Sequence, residues 1–107
     1  MPIKVLIVDD SLLFREQLGR LMAKDKTIEI VGKAVDAFDA EKKIEELNPD
    51  VVTLDVEMPK VNGIEFLKRI IPKRAIPTVI VTATPTSAFE ALNAGAVDFV
   101  NKPTIKS

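Results

Sequence analysis

The chain has 107 residues, of which 47% are hydrophobic, and a formal net charge of −1. This size and composition predict a single folded domain over residues 1–107 and exclude an intrinsically disordered chain. The balanced charge argues against binding to nucleic acid or an anionic membrane, and no apolar stretch approaches the roughly 20 residues of a membrane span. Cysteine and histidine are absent, which excludes disulfides, thiolate or imidazole metal sites and a phosphohistidine on this chain. We therefore expect a cytoplasmic protein.

Strands and helices are predicted to alternate along the chain. Short runs rich in β-branched residues predict strands, apolar residues at helical spacing predict helices, and Ser11 is a candidate N-cap. The predicted strands are 3–8, 28–34, 51–54, 78–81 and one that begins at Ala96; the predicted helices follow Ser11, span 37–47, follow Gly63 and run from about Ser87 to Asn93. This alternation predicts an α/β fold, a flavodoxin-like doubly wound parallel sheet of five strands in the order 2-1-3-4-5.

Three aspartates lie where predicted strands end. Asp9 and Asp10 follow the first strand, and Asp55 follows the third. Ligands of open parallel sheets bind beyond the carboxyl ends of the strands, and in this strand order strands 1 and 3 are neighbours. Carboxylates brought together repel one another unless a positive charge joins them, and Mg²⁺ prefers such oxygen ligands. Lys102, after the fifth strand, would add a second positive charge, so the pattern indicates phosphoryl chemistry.

Further residues at the same edge fit that chemistry. Asp55 could attack a phosphoryl group, because carboxylates can form aspartyl phosphates. Thr82 follows the fourth predicted strand and would bring a hydroxyl to the site, while the small Ala83 would leave the carboxylate accessible.

Four motifs, in order, resemble those of the receiver domain of two-component response regulators. They are Val8-Asp9-Asp10-Ser11, Leu54-Asp55-Val56-Glu57-Met58-Pro59 with Gly63 after it, Thr82-Ala83, and Lys102-Pro103. The resemblance runs from about Ile3 to Pro103. Within the family, the segments 47–59 and 95–100 are most similar to the receiver of the chemotaxis methylesterase.

The resemblance implies a role for each matched residue. Asp55 would be the phosphoacceptor, and a sensor histidine kinase the phosphodonor. Mg²⁺ would be held by Asp55, Asp10 and the backbone carbonyl of Glu57, and by Asp9 through a water molecule. The phosphoryl group would be contacted by the Lys102 ammonium, the Thr82 hydroxyl and the backbone amide of Ala83. Phe99 would be the aromatic residue whose movement is coupled to the threonine, although a plain core position is an equally good interpretation of its strand setting.

Three functions remain open from the sequence. The leading one is a phosphorylated switch that is not an enzyme, acts on a downstream effector or effector domain, and has no methylesterase domain within this chain. The second is a phosphatase with an aspartyl nucleophile; such enzymes need a second aspartate two residues later, where this chain has Glu57. The third is a pseudo-receiver scaffold that is never phosphorylated.

Two features depart from the family pattern. The interval between Thr82 and Lys102 is short, which predicts a shortened fourth helix with Pro85 limiting its start. The chain ends at Ser107, so the fifth helix of a receiver is expected to be missing and apolar surface of the first, fourth or fifth strand to be exposed. A truncated chain, a homodimer that covers this face and a naturally minimal receiver are the three explanations.

Overall fold

Helices and strands alternate throughout the computed structural model, which describes residues 2–56, 58, 61–82 and 85–101, with the side chains of residues 85–88 excepted. The strands are β1 (Ile3–Val8), β2 (Ile28–Ala34), β3 (Val51–Asp55), β4 (Thr78–Thr82) and β5 (Asp98–Asn101). The helices are α1 (Leu12–Ala23), α2 (Ala37–Leu47), α3 (Gly63–Ile70) and α4 (Pro85–Asn93). The predicted alternation is confirmed.

The five strands form one parallel sheet in the order β2-β1-β3-β4-β5. The predicted flavodoxin-like order is therefore confirmed. The central pairings bring the strand ends level: Val8 of β1 is paired with Leu54 of β3, and Asp55 is paired with Val81 of β4. The strands β1, β3 and β4 consequently end at the same edge of the sheet.

The main core lies between the sheet and helices α2, α3 and α4. Its fully buried side chains come from the strands and from these helices, and include Leu6, Ile44, Leu54, Leu67 and Ile80. The helix α1 connects β1 to β2 in one direction across the sheet, whereas α2, α3 and α4 connect strands in the other direction. Because such crossovers are right-handed, α1 lies on the opposite face of the sheet from these three helices. The carboxyl ends of β1 and β3 are thus packed against the core that these strands form with α2, α3 and α4.

Local signals set the helix ends. Ser11 caps α1 by accepting a hydrogen bond from the amide of Phe14, as predicted. The helix α4 begins at Pro85, two residues before the predicted start. A proline is compatible with the first turn of a helix, because the amide that it lacks has no partner there. Pro85 therefore opens the helix and does not limit it.

The strand β5 begins at Asp98, not at Ala96 as predicted. The amide of Ala96 donates to the carbonyl of Ala91 in α4, so this residue still belongs to the turn that leaves the helix. Gly95 makes that turn with φ +117°, a conformation that side chains disfavour. The apolar character of Ala96 was therefore not enough to distinguish a residue of the turn from a residue of the strand.

An apolar groove of about 480 Å³ lies beside α1, on the face of the sheet opposite the main core. It is lined by Phe14 and Leu21 of α1 and by Ile3, Val79 and Val100 of the sheet. Ile3 and Val100 are exposed, so the expected apolar surface on the first and fifth strands is present. The missing fifth helix and the Lys102-Pro103 motif were predicted for residues that lie outside the described ranges. The homodimer that would cover this apolar surface stays a prediction.

None of the described helices has both the length and the apolar character that a membrane crossing requires.

Candidate functional site

Three carboxylates meet at the carboxyl edge of the sheet. Asp9 and Asp10 follow β1, Asp55 ends β3, and one carboxylate oxygen of each lies within 4.8 Å of those of the other two. Asp9 and Asp55 are buried, at 1% and 3% exposure, whereas Asp10 is exposed to solvent. The predicted convergence of these residues is therefore found, with two carboxylates buried in the protein and the third exposed to solvent.

This arrangement favours a bound divalent cation. Like charges at such separations repel, and the repulsion is stronger where burial lowers the local dielectric. Mg²⁺ accepts one or two protein carboxylates and completes its octahedral shell with water or phosphate oxygens. Two buried carboxylates beside an exposed one provide oxygen donors on one side and leave the other side open, so the donor set fits Mg²⁺.

The backbone around Asp9 is held from three directions. Its amide donates to the carbonyl of Ala34 at the end of β2, at 3.0 Å. Its carboxylate accepts a 2.8 Å hydrogen bond from the amide of Ser11. Its carbonyl accepts a 2.6 Å hydrogen bond from Nη1 of Arg15, a buried residue of α1. Arg15 did not emerge from the sequence; its only signal was a position next to Phe14 in the first turns of a helix that leaves the site.

The loop after Asp55 is closed by Gly63. The amide of Gly63 donates to the carbonyl of Val56 at 2.8 Å, and the amide of Met58 donates to the same carbonyl at 3.1 Å. A Cβ on Gly63 would lie 2.5 Å from the carbonyl oxygen of Asp55. Glycine is therefore required at this position by the close approach of the backbone.

Thr82 is the last residue of β4 and is fully buried. Because Asp55 is paired with Val81, Thr82 lies one residue further toward the carboxyl edge on the neighbouring strand. It thus belongs to the edge that carries the acidic cluster. The remaining predicted site residues, Glu57, Ala83 and Lys102, lie outside the described residues.

Phe99 is on the edge strand β5, paired with Ile80 of β4. Its exposure is 37%, so the interpretation as a plain core residue is wrong. An edge strand has a neighbour on one side only, which explains why an aromatic residue there keeps contact with solvent. The proposed role in switching is untested by this position.

Comparison with known proteins identifies the family. The profile of the response regulator receiver domain matches residues 5–107. The chain belongs to this family. The predicted family resemblance is thereby confirmed, and the receiver fold is shared with solved structures.

The relatives matched by sequence are protein-glutamate methylesterases, and the structural neighbours include the receiver of CheB. A protein-glutamate methylesterase/protein-glutamine glutaminase 2 of Syntrophomonas wolfei is 58% identical over 101 residues, covering 94% of this receiver and 30% of that protein. Its counterpart in Hydrogenovibrio crunogenus is 51% identical over 107 residues, covering 96% and 28%. The response regulator domain of Thermotoga maritima CheB has a TM-score of 0.89 and 41% identity, covering 96% of this receiver and 80% of that chain.

A further structural neighbour is the CheX-CheY-BeF3-Mg²⁺ complex of Borrelia burgdorferi. It has a TM-score of 0.87 and 32% identity, covering 98% of this receiver and 81% of that chain. The receiver is therefore most similar to chemotaxis response regulators, and to CheB in particular.

One prediction is corrected by these relatives. The chain was expected to belong to a switch that is not an enzyme, whereas the curated relatives that match 94–97% of it are named as enzymes. The receiver spans less than a third of their length. The resemblance of segments 47–59 and 95–100 to the receiver of the chemotaxis methylesterase was the signal for this, although the residues of a receiver carry none of the catalytic groups of an enzymatic domain located elsewhere in a longer relative.

Proposed function

We propose that residues 1–107 form one phosphoacceptor receiver domain, in which Asp55 accepts a phosphoryl group in the presence of Mg²⁺. The observation that carries the proposal is the meeting of Asp9, Asp10 and Asp55 within 4.8 Å at the carboxyl edge of a receiver fold. The Borrelia burgdorferi relative that was crystallised with BeF3 and Mg²⁺ supports the same ligand chemistry.

The phosphoryl step is a substitution at phosphorus. A carboxylate oxygen of Asp55 forms a bond to phosphorus while the bond from phosphorus to the donor breaks and the donor keeps the bonding electrons. The donor is the phosphohistidine of a sensor histidine kinase. Burial of Asp55 limits the access of water to the reacting oxygen. The open side next to the exposed Asp10 is the side from which the phosphoryl group approaches.

Mg²⁺ would be held by Asp10, Asp55 and the carbonyl of Glu57, and by Asp9 through a water molecule. It would supply positive charge to the phosphoryl oxygens. The Lys102 ammonium pairs with another phosphoryl oxygen, and the Ala83 amide donates a hydrogen bond to the group. The Thr82 hydroxyl turns toward the phosphoryl group, and Phe99 moves inward with it. The partly exposed position of Phe99 leaves it room to change rotamer.

The output is regulation of an effector. The names of the curated relatives support an effector with protein-glutamate methylesterase and protein-glutamine glutaminase activity, and the part of their length outside the matched receiver leaves room for it in the same protein. Phosphorylation at Asp55 would change the surface that includes Phe99 and α4, and this surface would contact the effector.

The test is incubation of the chain with a small phosphodonor such as acetyl phosphate, with and without Mg²⁺, followed by intact-mass measurement. We expect one phosphoryl group per chain with Mg²⁺ and none without it. Asp55→Asn should abolish the addition, whereas the exposed Glu46→Gln should leave it unchanged. No addition under any condition would contradict the proposal and favour a pseudo-receiver. Continuous release of phosphate over many turnovers would favour a phosphatase.

A further inference from the structure

Arg15 is a charged side chain in a place where arginine is rarely found. It lies in the second turn of α1 with 9% of its surface exposed. Burial of a guanidinium is costly unless its donors are satisfied, so such a position needs a specific partner. The partner seen is the carbonyl oxygen of Asp9, at 2.6 Å from Nη1.

This hydrogen bond holds the backbone of Asp9, the first aspartate of the acidic cluster. Bonds to Ala34 and Ser11 hold the amide and the carboxylate of Asp9. The carbonyl is the remaining polar group of that residue, and it belongs to the peptide that leads into Asp10. Arg15 therefore acts on the plane of the peptide that joins the two aspartates, and on the direction in which each carboxylate points.

We propose that Arg15 is a positioning residue for Mg²⁺ binding, acting through the Asp9–Asp10 peptide and not through contact with the ion. The inference rests on the proposed function. A charged hydrogen bond to a buried carbonyl is shorter and stronger than a neutral one, so it restrains this peptide more than a water molecule would. The restraint keeps Asp10, which is otherwise exposed, directed toward Asp9 and Asp55.

The sign of the effect separates this role from simple electrostatics. A cation near three carboxylates repels Mg²⁺, so if Arg15 acted by charge alone, its removal would tighten metal binding. If Arg15 acts by positioning, its removal allows the peptide to rotate and weakens metal binding. Groups that orient metal ligands typically change affinity by about 10- to 100-fold.

The experiment measures Mg²⁺ affinity by isothermal titration calorimetry, which suits a chain without tryptophan or tyrosine. Arg15→Met and Arg15→Gln are expected to weaken binding by about tenfold. Arg15→Lys keeps a charged donor and should recover most of the affinity. Arg20→Met removes the same charge from the exposed face of α1 and serves as the matched control, with little change expected.

A second readout is amide exchange of Ser11, whose amide is bonded to the Asp9 carboxylate. It should be faster in metal-free Arg15→Met and Arg15→Gln, relative to core amides of β3, and unchanged in Arg20→Met. Unaltered or tighter Mg²⁺ binding in either neutral variant would overturn the positioning role while leaving the proposed function intact. Absence of Mg²⁺ binding by the unmodified protein would overturn both.

Discussion

Gly63 lies against the backbone of Asp55, so close that a Cβ on Gly63 would be 2.5 Å from the carbonyl oxygen of Asp55 and 2.9 Å from the Cα of Val56. The first residue of α3 thus determines where the last residue of β3 can lie. Backbone atoms cannot yield as the end of a flexible side chain can. The end of β3 and the start of α3 are held together by this contact and by the hydrogen bond from the Gly63 amide to Val56.

Gly63→Ala is expected to lower the free energy of unfolding by about 1–3 kcal/mol, the usual cost of forcing extra volume into packed structure. It should also weaken Mg²⁺ binding, because Asp55 must shift. Gly19→Ala is the control: its Cβ would meet the flexible end of Lys33 at 3.2 Å, inside helix α1. There alanine gains up to about 1 kcal/mol of helix propensity. Urea unfolding followed by circular dichroism compares the two, and equal stability of both variants would contradict the assignment.

Asp10 is expected to contribute to metal binding at little cost to the fold, since it is exposed. Asp10→Asn should weaken Mg²⁺ binding by about tenfold or more, which is about 1.4 kcal/mol. The metal-free variant should be at least as stable as the unmodified protein, because one of three mutually repelling charges is removed. Calorimetry and urea unfolding measure the two effects, with Glu46→Gln as the control. A clear loss of metal-free stability would show instead that Asp10 has a structural partner.

Mg²⁺ should stabilise the fold through the same site. At about 100 times its Kd, it is expected to raise the free energy of unfolding by about 2.7 kcal/mol, because only the folded chain brings the three carboxylates together. Thermal unfolding with Mg²⁺ and after chelation measures this gain. A gain of the same size in Asp10→Asn or Asp55→Asn would place the ion elsewhere.

Two buried threonines allow a matched test of hydrogen bonding. Thr53 lies on β3 against the apolar groove, and within the described residues its hydroxyl has no hydrogen-bond partner. Thr53→Val is therefore expected to raise stability by about 1 kcal/mol, because an unsatisfied hydroxyl is replaced by a methyl group. The hydroxyl of Thr78 donates to the carbonyl of Ile76 at 3.0 Å, so Thr78→Val should lower stability by a similar amount. Urea unfolding of both variants gives opposite signs, and equal signs would refute the distinction.

Thr82 and Phe99 are expected to move together on phosphorylation. The protein is labelled with fluorinated phenylalanine, and the fluorine NMR signal of Phe99 is identified as the one that is lost in Phe99→Leu. This signal should shift when Asp55 is phosphorylated. In Thr82→Val, Asp55 should still be phosphorylated in the presence of Mg²⁺, but the shift should be lost because the hydroxyl that approaches the phosphoryl group is absent. Thr53→Val serves as the control and should keep the shift. A shift that survives in Thr82→Val would separate the two residues.

Much of the fold could be predicted because its signals are local. The apolar runs before Asp9 and Asp55, and the helical spacing between them, specify parallel strands with crossovers, and a parallel sheet brings strand ends to one edge. The acidic cluster follows from this topology. The family motifs then separate the role of Asp55 from those of its neighbours, which charge alone could not do.

The remaining features depend on contacts between distant segments. The hydrogen bond from Arg15 to a backbone carbonyl is visible only once the elements are packed. The same holds for the Thr53 hydroxyl, which lacks a hydrogen-bond partner in the described part of the chain. The start of β5 was misplaced because Ala96 is buried in the turn after α4, so its apolar character had a different cause. A plain core position was one of two open interpretations of Phe99, but the end of the sheet leaves this residue partly exposed.

The most direct test of the central claim is the location of the phosphoryl group. After reaction with acetyl phosphate and Mg²⁺, borohydride reduction converts an aspartyl phosphate into homoserine, and tandem mass spectrometry of the peptides identifies the converted residue. Homoserine at position 55 alone, and its absence when Mg²⁺ is chelated, is the expected result. Conversion of Asp9 or Asp10 with Asp55 unmodified, or conversion that does not depend on Mg²⁺, would contradict the assignment of Asp55 as the phosphoacceptor.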